Sequence, residues 1–269
     1  MDKYLTFVHS TSRRRPITMD FVTLLSLSGI IGLISGFGSG LFGIGGGSIR
    51  IPLLNLIGFA MISAYGINLF TIPVSCSIGA YTQKKNIDRH LGSYMIVGGA
   101  IGTLLGTVVA FSLSTSALMM AILFVIISVI SVVGMNLSHL APKVSQKLTP
   151  SAPAIAAGTF VANTLGGMRG GSGGSLFAPL LRSFNVSIHR AIATSLFVAA
   201  ITSLVGVILY WSQGQLMLIE GLTVLVGAII GTRMGSLVSI DTKPRWLESG
   251  LSIVIIALAA ATLFKAVFT

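Results

Sequence analysis

Hydrophobic positions fall in long unbroken runs along this chain, separated by short polar gaps. The runs cover Phe21 to Phe42, Ala64 to Tyr81, Leu91 to Leu113, Thr115 to Leu137, Ala152 to Leu165, Ala191 to Trp211, Leu216 to Val238 and Leu247 to Phe268. A bilayer crossing takes about 20 apolar residues as a helix. The pattern therefore predicts an all-α integral membrane protein with about eight long transmembrane helices. Two further apolar pieces, Ile49 to Met61 and Leu176 to Phe184, each follow a glycine cluster and contain a proline. They are too short to cross alone and are expected to be broken or re-entrant segments.

The chain also repeats itself. At a shift of 127, Gly43, Gly46, Gly47, Ser48, Pro52, Leu53 and Leu54 fall on Gly170, Gly173, Gly174, Ser175, Pro179, Leu180 and Leu181. The same shift carries Ala64, Leu69, Phe70 and Gly79 onto Ala191, Leu196, Phe197 and Gly206. A tandem duplication accounts for one register held over that distance. The expected organisation is a polar tail over 1–20, a first membrane repeat over 21–137, a linker over 138–153 with Pro142 and Pro150, and a second repeat over 154–269. Arg13 to Arg15 ahead of the first run resemble a signal-peptide n-region, but no small-residue cleavage site follows, so that run is expected to be a retained helix.

Charge gives the halves a direction. Lys84, Lys85 and Arg89 follow the second long run, whereas the equivalent loop, Ser212 to Gln215, carries none; Lys243 and Arg245 have an uncharged counterpart in Ser112 to Ser116. Positive residues favour the cytoplasmic side, which predicts oppositely oriented, inverted halves. Inversion requires an odd number of crossings per half, which favours five elements in each.

Composition narrows the function. Hydrophobic residues make up 53% and charged residues 9%, outside the soluble range. The basic residues behind the net charge of +11 sit mostly in short polar gaps between the runs and follow the membrane bias, so no nucleic-acid partner is expected. A lone Cys76 and scattered histidines give no metal or redox site, and no cofactor is expected. No nucleophile, base and oxyanion partner stand at a recognisable spacing, so the chain does not read as an enzyme.

The candidate chemistry lies in the duplicated clusters Gly43-Ile44-Gly45-Gly46-Gly47-Ser48 and Gly170-Gly171-Ser172-Gly173-Gly174-Ser175. Consecutive glycines break a helix, and the half-helix that follows offers unpaired N–H groups and its positive dipole end to an anion. Candidate binding residues are Gly45, Gly46, Gly47, Ser48, Arg169, Ser172, Gly173, Gly174 and Ser175. Isolated pairs such as Gly32 with Gly36, Gly98 with Gly102 and Gly231 with Gly235 read as helix packing instead. Arg50, Asn68, Ser195 and Glu220 are secondary candidates. Each has a plainer reading: an interfacial arginine for Arg50 (and for Arg169), interhelical bonds for Asn68 and Ser195, and a solvated helix end for Glu220.

The motif Gly43-Ile44-Gly45-Gly46-Gly47 with Pro52-Leu53-Leu54, repeated with Pro179-Leu180-Leu181, resembles the TauE/SafE sulfite-exporter family of bacterial membrane proteins. The likeness extends to Ala191-Ile192-Ala193-Thr194-Ser195 and to Lys84-Lys85-Asn86-Ile87-Asp88. Two positions depart from that pattern: Arg169 stands where an apolar residue is usual, and Ser172 where the first glycine of the triplet is expected. The resemblance implies a multi-pass protein of the bacterial plasma (inner) membrane that carries sulfite, organosulfonates or related sulfur-containing or organic anions; two inverted halves around one site predict alternating access, with a coupling proton or cation as a further partner. An anion channel and a non-transport membrane scaffold or enzyme are the alternatives.

Overall fold

The computed structural model describes residues 20–113, 117–135, 151–171 and 174–268, and these form ten α-helices. The first five are α1 (Phe21–Phe42), α2 (Gly47–Leu56), α3 (Met61–Thr82), α4 (Arg89–Leu113) and α5 (Ala117–Met135). The others are α6 (Ala152–Met168), α7 (Gly174–Ser183), α8 (Ile188–Ser212), α9 (Leu218–Asp241) and α10 (Pro244–Phe268). Among the described residues each apolar run overlaps one of these helices, and the two short pieces overlap α2 and α7. By length and composition, α1, α3, α4, α8 and α9 are able to cross a membrane. The tail over 1–19 and most of the expected linker, 136–150, lie outside the described residues.

Burial is arranged inside out. Polar side chains such as Ser35, Asn68, Thr71, Asn163 and Thr202 are buried, while Val97, Ile101 and Val108 on α4 and Leu222, Val226 and Ile230 on α9 are exposed. A water-soluble protein hides such rows; a hydrocarbon solvent accepts them.

The shift of 127 pairs α1 with α6, α2 with α7, α3 with α8, α4 with α9 and α5 with α10. Packing respects this pairing. α1 lies along α9, and α6, its counterpart, lies along α4; α3 touches both α8 and α9, and α8 touches both α3 and α4. The two most intimate contacts therefore join one half to the other.

Glycine makes those contacts possible. Gly32, Gly36 and Gly40 face the backbone of Val224, Ala228 and Thr232, and Gly98, Gly102 and Gly106 face that of Ala156, Phe160 and Thr164. A Cβ at Gly36 would lie 2.5 Å from the Ala228 carbonyl oxygen, a separation that only backbone-to-backbone packing without side chains permits. Rising numbers on both partners make α1 parallel to α9, and α4 parallel to α6. Between α3 and α8 the order reverses: Gly66 meets Tyr210, Leu69 meets Gly206 and Gly79 meets Leu196, so these two run antiparallel.

Candidate functional site

Both glycine clusters interrupt the helical path in the interior. Gly43, Gly45 and Gly46 have φ of 71°, 68° and 78°, and Gly170 has 70°. This left-handed region is readily open only to glycine, so α1 stops at Phe42 and the chain turns back. α2 then retraces α1, placing Ile49 against Gly38 and Arg50 against Ser35. α7 does the same along α6, with Leu180 against Gly158.

The two turns meet. Gly174 packs on the backbone of Ile44 and Gly45, and Gly170 packs on the ring of Tyr65. Repeat-equivalent side chains fasten them crosswise. Asn68 donates its amide to the Gly170 carbonyl at 2.9 Å, and Ser195 donates its hydroxyl to the Gly43 carbonyl at 2.6 Å. Ser195 also lies 3.1 Å from the Gly174 carbonyl. Each half thus supplies the residue that holds the other half's first glycine. Asn68 and Ser195 do make interhelical bonds, but to these turns and not merely to a neighbouring helix face.

Two guanidinium groups lie in this junction. Arg169, 3% exposed, donates from Nη2 to the Ser48 hydroxyl at 3.0 Å and to the Ser175 hydroxyl, and from Nη1 to Ser128 at 3.2 Å. Ser48 and Ser175 are repeat equivalents in the first turns of α2 and α7, so one fork spans the starts of both half-helices. Arg50, fully buried, donates from Nε to Ser35 at 3.1 Å, and from Nη1 to Asn68 Oδ1 at 3.0 Å and to Thr71. Its Nη2 has no hydrogen-bond partner and lies beside Gly46, where an added Cβ would come within 2.9 Å of it. Neither arginine reaches an interface.

Of the residues read from the sequence, Gly45, Gly46, Gly47, Ser48, Arg50, Asn68, Arg169, Gly174, Ser175 and Ser195 come together here. Ser172 and Gly173 lie outside the described residues. Glu220 does not join them: it is half-buried in the first turn of α9. Sequence reasoning missed Ser35, Thr71 and Ser128, which anchor the guanidiniums, and Tyr65, which backs Gly170. The signal was present in each case as a polar group within an apolar run, but the run's overall hydropathy masks it.

Basic residues gather at one end of the described helices. α3 and α9 end, and α4 and α8 begin, around the same layer, since Gly40, Gly79 and Ser236 adjoin and Asp88 N–H donates to Thr194 Oγ1 at 2.9 Å. Lys84, Lys85, Arg89, Arg190, Lys243 and Arg245 all belong to these ends. Arg190 pairs with Asp88 there at 2.5 Å.

The family model described as "Sulfite exporter TauE/SafE" matches residues 28–262. The protein named "Probable membrane transporter protein YunE" from Bacillus subtilis strain 168 is 25% identical over 277 residues, covering 93% of this chain and all of that one. "Probable membrane transporter protein MJ0441" from Methanocaldococcus jannaschii is 26% identical over 254 residues, covering 88% of this chain and 94% of its own length. No solved structure matches the chain.

Proposed function

The chain belongs to the TauE/SafE sulfite-exporter family and is a membrane transporter, not an enzyme, and from that premise we propose that it carries a small anion (sulfite, an organosulfonate or a related sulfur-containing or organic anion) by alternating access. The observation that carries this reading is the junction of the two glycine turns, where Arg169 spans Ser48 and Ser175 at the starts of two half-helices and Arg50 holds an unpartnered Nη2. A buried cation costs free energy unless an opposite charge meets it, and half-helix N-termini add to the attraction for an anion. In this reading Gly45, Gly46, Gly47 and Gly174 present backbone N–H groups, Ser48 and Ser175 donate hydroxyls, and Arg169 supplies the fixed charge. Few carboxylates stand near, which favours an anion over a cation as cargo.

The mechanism we infer is rocking of two inverted halves, 21–137 and 154–269, around that site. Support comes from packing. α1, α3 and α9 run one way, α4, α6 and α8 the other, and each helix opposes its repeat counterpart. The basic ends listed above mark the cytoplasmic face by the positive-inside rule, and a bacterial plasma membrane is the proposed location. Thermal stabilisation of purified protein by sulfite, sulfate, thiosulfate, sulfonates and small carboxylates tests the substrate class. Saturable counterflow in proteoliposomes is expected of a carrier; flux without counterflow would favour a channel.

A further inference from the structure

Two buried phenols lie between the junction and the face away from the basic ends. Tyr65 and Tyr210 are each 0% exposed, and neither hydroxyl has a hydrogen-bond partner. A buried hydroxyl without a partner is destabilising, so two in one region call for an explanation. Tyr65 backs Gly170, the residue after Arg169, so closely that a Cβ on Gly170 would overlap its ring. Tyr210 adjoins Gly66, the residue after Tyr65, and its own carbonyl accepts the N–H of Gln215, at 2.9 Å, in the connection between α8 and α9. That connection carries the exposed Gln213 and Gly214.

At the matching positions the opposite face has no phenol. At the shift of 127, the counterparts of Tyr65 and Tyr210 are Ile192 and Gln83. Ile192 packs on Gly43 as Tyr65 packs on Gly170, but without a polar group. Gln83 is buried, uses one amide N–H on the Gly40 carbonyl at 3.1 Å, and leaves its Oε1 unpaired. Phenol hydroxyls donate to an anion; a carbonyl oxygen repels one.

We propose that Tyr65 and Tyr210 line the anion's route between the Arg169 junction and the face where α8 meets α9, each donating its hydroxyl to the passing anion. The inference rests on the anion-transport reading above and adds a sided path to it. During transport the two hydroxyls gain the acceptor that they lack at rest, whereas the matching positions of the cytoplasmic half carry no hydroxyl.

The test is radiolabelled sulfite counterflow in proteoliposomes with Tyr65→Phe, Tyr210→Phe and Arg169→Ala, together with melting temperatures with and without sulfite. Phe keeps the ring and removes only the hydroxyl. Each Phe variant is expected to slow counterflow about tenfold, the effect of losing one hydrogen bond to a charged group, with an unliganded melting temperature equal to or above that of the parent. Tyr210→Phe is expected to keep the sulfite-induced shift, because it lies outside the junction. Parental counterflow in both Phe variants overturns the route, as does slower counterflow accompanied by a fall in unliganded melting temperature, since the hydroxyls would then serve the fold. Sulfite binding that survives Arg169→Ala counts against the junction site instead, and no sulfite counterflow by the parent protein removes both readings.

Discussion

Replacing Arg169 with Met keeps a long apolar stem and removes the guanidinium that spans Ser48 and Ser175. An oxyanion held by those hydroxyls lies about 4 Å from the lost charge, worth about 4 kcal/mol at the effective dielectric constant of a partly polar interior. At about 1.4 kcal/mol per tenfold, affinity falls roughly a thousandfold. With sulfite at about one hundred times the parental Kd, binding stabilises the parent by about 2.7 kcal/mol and the variant by less than about 0.1 kcal/mol. For a chain of this size the parental melting temperature rises by about 5–10 °C and the variant's by under about 1 °C. The unliganded variant is expected to melt near the parent, because relief of a buried charge offsets the lost hydroxyl contacts. The assay is thermal unfolding in detergent at matched ionic strength, with chloride as the balancing anion. A sulfite shift of several degrees in Arg169→Met would refute the assignment of the fixed charge to this residue. Arg169→Lys is expected to retain part of the shift, having charge without the fork.

Three further outcomes follow from packing and capping. Gly170→Ala combines a φ of 70° with a Cβ overlapping Tyr65, including that residue's own Cβ, so folded yield is expected to drop sharply by size-exclusion chromatography, and Tyr65→Ala does not restore it. Gly36→Leu drives a side chain into the Ala228 carbonyl and is expected to separate α1 from α9, lowering the melting temperature far more than Ile30→Leu on the same helix's exposed face. Asp88 caps α4 by accepting the Leu91 N–H at 3.1 Å, whereas its partner Arg190 is 57% exposed at the side chain. Asp88→Ala is therefore expected to cost about 1 kcal/mol and Arg190→Ala less than half of that, as read from denaturation midpoints.

Much of this architecture was legible because its signals are local. Glycine runs break helices whatever surrounds them, so the turns at Gly43 and Gly170 and the short helices after them followed from spacing alone. The Gly-x-x-x-Gly pairs also announced close packing. What they could not announce was the partner: nothing in Gly32 and Gly36 says that they face α9 of the other half instead of a neighbour in their own. The arginines posed a different difficulty. Arg169 replaces a repeat position occupied by Phe42, and Arg50 one occupied by Phe177, so symmetry offered no guide to their depth or to the hydroxyls that receive them. Tyr65 was hidden by being counted as hydrophobic, since only the fold reveals that its hydroxyl lacks a partner. The start of α4 lies at Arg89 and not Leu91 because Asp88 caps it, a bond that extends a helix beyond its apolar run.

The crosswise pairing of α1 with α9 has a consequence for biosynthesis. α1 leaves the ribosome roughly 180 residues before the helix whose backbone its glycines are shaped to receive, and at about 5–20 residues per second that helix is completed some ten to forty seconds later. Through that interval the notched face of α1, with Gly32, Gly36 and Gly40, stands in the lipid without the backbone that it is shaped to receive. A nascent chain in this condition offers membrane chaperones and quality-control proteases a recognisable unfinished surface, and a pause in translation before Leu218 would prolong its exposure to them.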